Sequence, residues 1–180
     1  MLVRVQPIRY NFLEGEGMIK LNAPSQKLKI KKIHPDAVLP TYGTPGAAGF
    51  DICIIEDITL EPGETKLAKT GLQMDIPVGF EVQIRPRSGL SLKTPLTVKN
   101  SPGTIDCDYQ GEVGLILHNA GAYKPTDNGY DFRCIKLSAG TKVAQGVLAP
   151  VTKAEIEEVT GELFEKESER GEGGFGSTGK

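Results

Sequence analysis

The segment Phe80-Glu81-Val82-Gln83-Ile84-Arg85 alternates apolar and polar residues, the period-two pattern of a strand with one buried and one wet face. Residues 52–60, 66–74, 92–98, 112–118, 132–137 and 142–151 read in the same way. Turn chemistry separates them: Glu61-Pro62-Gly63, Ile76-Pro77-Val78-Gly79, Thr94-Pro95, Ser101-Pro102-Gly103, Pro125-Thr126-Asp127-Asn128-Gly129 and Ala139-Gly140. The 22 glycines and 12 prolines make up about 19% of the chain, against a usual share of about 12%. Short strands punctuated this often predict an all-β sandwich, jelly roll or barrel and exclude a helical bundle. Residues 88–93 read as a short helical turn. Residues 154–168 have helical composition but contain Gly161, so a strand followed by a linker fits them equally well.

The charge balance narrows the partners. With 21 Lys and Arg against 23 Asp and Glu, the net charge is −2, which excludes a generally basic nucleic-acid surface. Phosphate binding must then come from a local cluster. No apolar run is long enough to span a membrane, and the first residues lack an apolar core with a small-residue cleavage site. The expectation is a soluble, cytoplasmic protein that binds neither nucleic acid nor membrane. Cys53, Cys107 and Cys134 are odd in number and scattered, which predicts reduced thiols and no structural zinc. Two histidines, His34 and His118, argue against Ser-His-Asp or Cys-His catalysis, and His118 reads as a packed or rim residue.

Residues 1–28 are expected as an N-terminal extension, a hairpin or a mobile arm, and residues 29–164 as the β domain. From 165 to 180 the chain turns charged and then glycine-rich, ending Arg170-Gly171-Glu172-Gly173-Gly174-Phe175-Gly176-Ser177-Thr178-Gly179-Lys180. Such a stretch has too much backbone freedom to form a core element. It reads either as a plain tail or as a lid carrying ligand groups. Gly171 and Gly176 are spaced like the glycines of a P-loop, but Ser177 stands where the lysine belongs.

Four interior constellations carry chemistry. In Gly46-Ala47-Ala48-Gly49-Phe50-Asp51, small residues allow close backbone approach and Asp51 opens a strand. In Arg85-Pro86-Arg87-Ser88-Gly89-Leu90, an arginine, a hydroxyl and free N–H groups meet at a helix start, a setting suited to phosphate, although a surface arginine with a serine cap fits as well. The stretch from Asn100 to Glu112 packs Asp106, Asp108 and Tyr109 among tight turns. In an extended strand those two aspartates would face one side, close enough to raise one pKa or bind a cation; a β-bulge or a hairpin rich in Asp and Gly is the alternative. Lys142-Val143-Ala144-Gln145 places a cation and an amide near each other and by itself says little.

Taken in order, these segments resemble the trimeric dUTP pyrophosphatase (dUTPase) family over roughly residues 29–180, through AAGFDI, RPRSGLS, NSPGTIDCDYQGEV, KVAQGVLAPV and RGEGGFGSTG. The resemblance implies a jelly-roll-like β-barrel that assembles as a homotrimer, with active sites at subunit interfaces and a flexible C-terminal lid. It implies Mg2+-dependent hydrolysis of dUTP to dUMP and pyrophosphate, which limits uracil in DNA and supplies dUMP for thymidylate synthesis. By the same resemblance Asp106 activates the attacking water, Tyr109 lies under the deoxyribose, and Asn100, Thr104 and Ile105 belong to the hairpin that reads uracil. Arg87, Ser88, Gly89 and Gln145 match phosphate contacts, and Arg170, Phe175, Gly176, Ser177 and Thr178 match the lid. Asp51 matches a residue that organises the site. The ion would sit mainly on substrate phosphates and water, without a protein cage.

Two departures stand out. Lys142 occupies a position where many members carry Arg, which turns a two-pronged contact into a point contact. Residues 119–133 are longer than the usual link between the third and fourth motifs. Two rival readings are a deaminase of the same superfamily acting on dCTP, alone or with dUTP cleavage, and a trimeric regulatory binding protein that retains dUTPase activity.

Overall fold

The computed structural model describes residues 25–126, 129–131, 133–161, 168, 171 and 173. Fourteen strands and one short helix are assigned among them, and every strand pairing is antiparallel. The largest sheet has five strands in the order β2 (Thr41–Tyr42), β3 (Phe50–Cys53), β14 (Lys142–Pro150), β7 (Phe80–Pro86) and β9 (Gly103–Ile105). A second sheet runs β5 (Thr65–Lys69), β10 (Gly114–Asn119), β8 (Leu96–Val98). Three further pairs are β1 (Lys29–Lys32) with β6 (Leu72–Asp75), β13 (Ile135–Leu137) with β4 (Ile58–Leu60), and β11 (Lys124–Thr126) with β12 (Gly129–Asp131). The helix α1 spans Ser88–Lys93, where the sequence predicts a helical turn.

The period-two pattern decides what is buried. β7 turns Val82 and Ile84 into the core and sends Glu81, Gln83 and Arg85 to the opposite face. β10 buries Leu115 and Leu117, which join Ile52, Ile54, Leu60 and Val113 in one core cluster. Among the described residues two polar side chains are fully buried, and both are satisfied. Asn119 Nδ2 donates to the carbonyls of Leu60 and Arg133, each at 3.1 Å, while its Oδ1 accepts the Gly121 N–H. Thr70 Oγ1 donates to the Val113 carbonyl at 2.6 Å and accepts from Leu72 N. Burial without such partners would cost roughly 1–3 kcal/mol for each group.

Several strand expectations need correcting. Residues 52–60 form two strands, because the chain changes partners between them: Ile54 N donates to Thr141 O and Ile55 N to Lys69 O. Residues 66–74 also divide, at Gly71, whose φ of +66° suits a residue without a side chain. Leu92 belongs to α1, not to the strand that follows. Asp106 and Asp108 are not in an extended strand. β9 ends at Ile105 and a turn follows, closed by Tyr109 N donating to Asp106 O at 3.2 Å. Of residues 154–168, those from 154 to 159 form neither helix nor strand and are exposed. Strands β1, β2, β9, β11 and β12 add to those that the alternation predicts. His118 is half-buried, and its Nδ1 lies 3.0 Å from both the Glu64 carbonyl and the Thr65 hydroxyl.

Candidate active site

The five-stranded sheet gathers one cluster. Gln145 on β14 pairs with Asp51 on β3 and with Arg85 on β7, so the first, second and fourth constellations converge at one end of the sheet. Arg87 leaves the end of β7 and folds back, its Nε donating to Asp51 Oδ1 at 2.7 Å and its Nη1 to the Lys142 carbonyl at 3.0 Å. Lys142 Nζ meets the other oxygen, Oδ2, of Asp51 at 3.0 Å. Lysine makes the single contact expected of a point charge, and the arginine supplies the directional one. Asp51 is only 16% exposed, against 35% for Arg87 and 47% for Lys142.

Burial is the largest single influence on the Asp51 carboxyl and pushes its pKa up, but the Lys142 hydrogen bond and the Arg87 and Lys142 charges together outweigh it. The net effect holds the group below its ordinary value, ionised at neutral pH. Next to it, burial pushes the Cys53 thiol up. All three cysteines are free.

Gln145 Nε2 donates to the Pro86 carbonyl at 2.8 Å, which ties its amide to the turn entering α1. Gly49 lets the chain approach Gln145 closely: a Cβ there would stand 3.2 Å from Gln145 Cδ and displace its amide. Arg87 occupies the cap position of α1 with no side-chain cap, so Ser88 is the first helical residue and not the cap. Ser88 and Gly89 are both exposed, and first-turn N–H groups have no intrahelical partner.

The third constellation builds a different place. The turn after β8 carries Asn100, whose amide packs over Gly103 so closely that a Cβ on that glycine would stand 2.9 Å from Nδ2. The Ser101–Pro102 peptide in the same turn is cis. β9 then presents Thr104 outward and Ile105 inward. A cavity of about 210 Å³ opens beside it, lined by Thr104, Ile105, Asp106, Tyr109, Val113 and Gly114. Asp106 is exposed at this cavity, so its carboxylate meets both water and whatever fills the space.

These two places are far apart. Val82 pairs with Ile105, and from there β9 runs away from Arg87. At roughly 3.3 Å per residue, about 20 Å of strand separates Arg87 from the level of Asp106. The structure therefore brings together Asp51, Arg87, Lys142 and Gln145, with Ser88 and Gly89 adjoining. Separately, Thr104, Ile105, Asp106 and Tyr109 line one cavity, while Asn100 packs beside Gly103 at the other end of β9. Arg170, Phe175, Gly176, Ser177 and Thr178 lie outside the described residues. Glu112, to which the sequence alone assigns no role, holds the Tyr109 loop; only its place within the third constellation points to it.

Fold and site together define an all-β protein with an Asp–Arg–Lys cluster at one end of its main sheet and a separate carboxylate-rimmed cavity, an arrangement suited to a phosphoanhydride hydrolase. A family model described as dUTPase matches residues 36–179. The deoxyuridine 5′-triphosphate nucleotidohydrolase of Nautilia profundicola is 50% identical over 154 residues, covering 86% of this chain and 99% of its own. That of Wolinella succinogenes is 46% identical over 154 residues, covering 86% and 95%. Among solved structures, the dUTPase of Staphylococcus bacteriophage 80alpha with dUPNHPP is similar at a TM-score of 0.74 and 29% identity, over 87% of this chain and 100% of that one. A point mutant of the dUTPase from phage phi11 of S. aureus, described as revealing the coordination of a structural Mg(II) ion, is similar at a TM-score of 0.67 and 28% identity, over 78% and 100%. The chain belongs to the dUTPase family. Among the described residues, no helix is long and apolar enough to cross a membrane.

Proposed function

We propose that this chain carries out its family's reaction, the hydrolysis of dUTP to dUMP and pyrophosphate, as a jelly-roll-like homotrimer in the cytoplasm. The observation that carries this reading is the cavity rimmed by Asp106 and Tyr109 at the end of β9, in a chain matched by the family model over residues 36–179. Uracil offers an acceptor–donor–acceptor edge, which backbone groups of the Asn100–Ile105 hairpin can pair with. A site built for that edge rejects cytosine, because the wrong edge leaves buried groups unpaired. The Tyr109 ring lies against the deoxyribose and leaves no volume for a 2′-hydroxyl.

Asp106 acts as general base. It takes a proton from a water aimed at the α-phosphate, and the pyrophosphate leaves. Arg87, Ser88, Gly89 and Gln145 hold phosphate oxygens, Asp51 and Lys142 orient Arg87, and Arg170, Phe175, Gly176, Ser177 and Thr178 close over the nucleotide. Asp106 and Asp108 in one turn are hard oxygen donors of the kind Mg2+ accepts, too few for a cage, so the ion would rest mainly on triphosphate oxygens and water. When bound it supplies charge neutralisation to the phosphates.

The separation along β7 supports a site shared between copies, as in the proposed homotrimer. A water activated by Asp106 and the arginine gripping the same triphosphate cannot stand about 20 Å apart. The phosphate ligands serving one Asp106 therefore come from another copy. Pyrophosphate release from dUTP, UTP, dCTP and dTTP with Mg2+ tests the activity: turnover is expected for dUTP and hardly for the others. Ammonia release from dCTP would overturn it in favour of a deaminase.

A further inference from the structure

The Tyr109 ring is held from behind by the backbone that follows it. Its hydroxyl donates to the Glu112 carbonyl at 2.9 Å. The ring lies so close over Gly111 that a Cβ there would stand 2.6 Å from Cζ, so any side chain at 111 would push the ring away. Glu112 is in turn anchored by its own carboxylate, whose Oε1 accepts the Gly71 N–H at 2.8 Å. That N–H belongs to a confined piece of chain: Gly71 has a φ of +66°, and a Cβ on it would meet both Ala37 and His34 at 2.8 Å.

Further bonds clamp the same loop to the strand beside it. Gln73 Nε2 donates to Gln110 O and Val113 N to Leu72 O, both at 2.8 Å. Of the bonds holding residues 110–113, the one to Gly71 is made by a carboxylate, and hydrogen bonds to charged acceptors are the stronger kind. A steric filter discriminates only if its wall does not yield, and a misplacement of about 1 Å costs roughly 10²-fold in rate.

We propose that Glu112 is a positioning residue for sugar selection: its carboxylate, seated on the Gly71 N–H, fixes the Gly111–Glu112 backbone against which Tyr109 packs and so holds the wall that excludes a 2′-hydroxyl. The proposal rests on Tyr109 being the surface that meets the sugar. It is tested by steady-state kinetics on dUTP and UTP for wild type, Glu112→Leu, Glu112→Gln and Gly111→Ala. Leucine removes the acceptor at similar volume, glutamine keeps an oxygen for the Gly71 N–H, and alanine displaces the ring directly.

Glu112→Leu and Gly111→Ala are expected to lower the dUTP-to-UTP ratio of kcat/KM by about tenfold or more, through a raised KM for dUTP and gained UTP turnover. Glu112→Gln is expected to hold the ratio within about threefold of wild type. A purely structural role would reduce the folded fraction and scale both substrates equally. An unchanged ratio in the leucine variant therefore overturns the proposal, and so does a glutamine variant as permissive as the leucine one. If Glu112→Leu fails to fold, Glu112→Asp, which withdraws the carboxylate by one methylene, carries the same expectation and the same refutation. Wild type that accepts UTP as readily as dUTP removes the role of Tyr109 itself, and is read from the parent enzyme alone.

Discussion

Arg87 and Asp51 are 36 residues apart in the chain and meet at 2.7 Å, Nε donating to Oδ1, with Lys142 on the other carboxylate oxygen. The carboxylate serves two cations at once, so its removal leaves a partly buried arginine without its directional partner. Asp51→Asn is expected to lower stability by about 1–3 kcal/mol at neutral pH.

The pH dependence follows from the depressed pKa of Asp51. A carboxyl whose folded value lies below its unfolded value stabilises the fold above the unfolded pKa, about 3.9 for Asp. That contribution fades as pH falls through the folded value. Chemical denaturation of wild type and Asp51→Asn across pH should show a constant gap from neutrality down to the ordinary carboxylate range, closing only in stronger acid. A gap that closed near neutrality would contradict this.

Subunit complementation checks the proposed sharing of one site between copies. Asp106→Asn and Arg87→Ala are each expected to be inactive, yet trimers reassembled from equal amounts of both should recover about a quarter of wild-type activity, since a random interface pairs two intact contributors that often. If both residues served from one chain, no mixture would recover any.

Asp106→Asn should lower kcat by roughly 10²–10⁴-fold, the usual scale for a lost general base, while dUTP still binds by calorimetry. Truncation after residue 169 should lower turnover by a similar order without shifting Tm, because it removes proposed ligand groups and no described core residue. A lower Tm in the truncated protein would give that segment a structural part.

Gly146 on β14 lies against the Phe50 ring so closely that a Cβ would overlap it. Gly146→Ala is expected to cost about 1–3 kcal/mol through overpacking, measured by urea denaturation.

Much of the fold is legible in alternation and turn chemistry. Val82 and Ile84 alternate with Glu81, Gln83 and Arg85, and the observed strand buries that pair. The helical turn at 88–93 follows from Arg87 and Ser88 after Pro86. Where the sequence misleads, a change of partner is the cause. Residues 52–60 look continuous, but Ile54 and Ile55 turn to Thr141 and Lys69. Asp106 and Asp108 look like one strand face, but the ladder with β7 stops at Ile105. Glu112 reads as a charged residue at a strand start, and its bond to Gly71 is invisible along the chain because the two lie 41 residues apart.

By itself the sequence determined the all-β class, the positions of most strands, and the residue types that place the chain in its family, since these depend on neighbours along the chain and on turn chemistry. Only the tertiary structure decided that Asp51 bridges Arg87 and Lys142, that Glu112 reaches Gly71, and that Arg87 and Asp106 stand at opposite ends of β7. Alternation is a property of consecutive residues, whereas those contacts depend on which strands pair and in what register, and register is set by how distant turns return the chain.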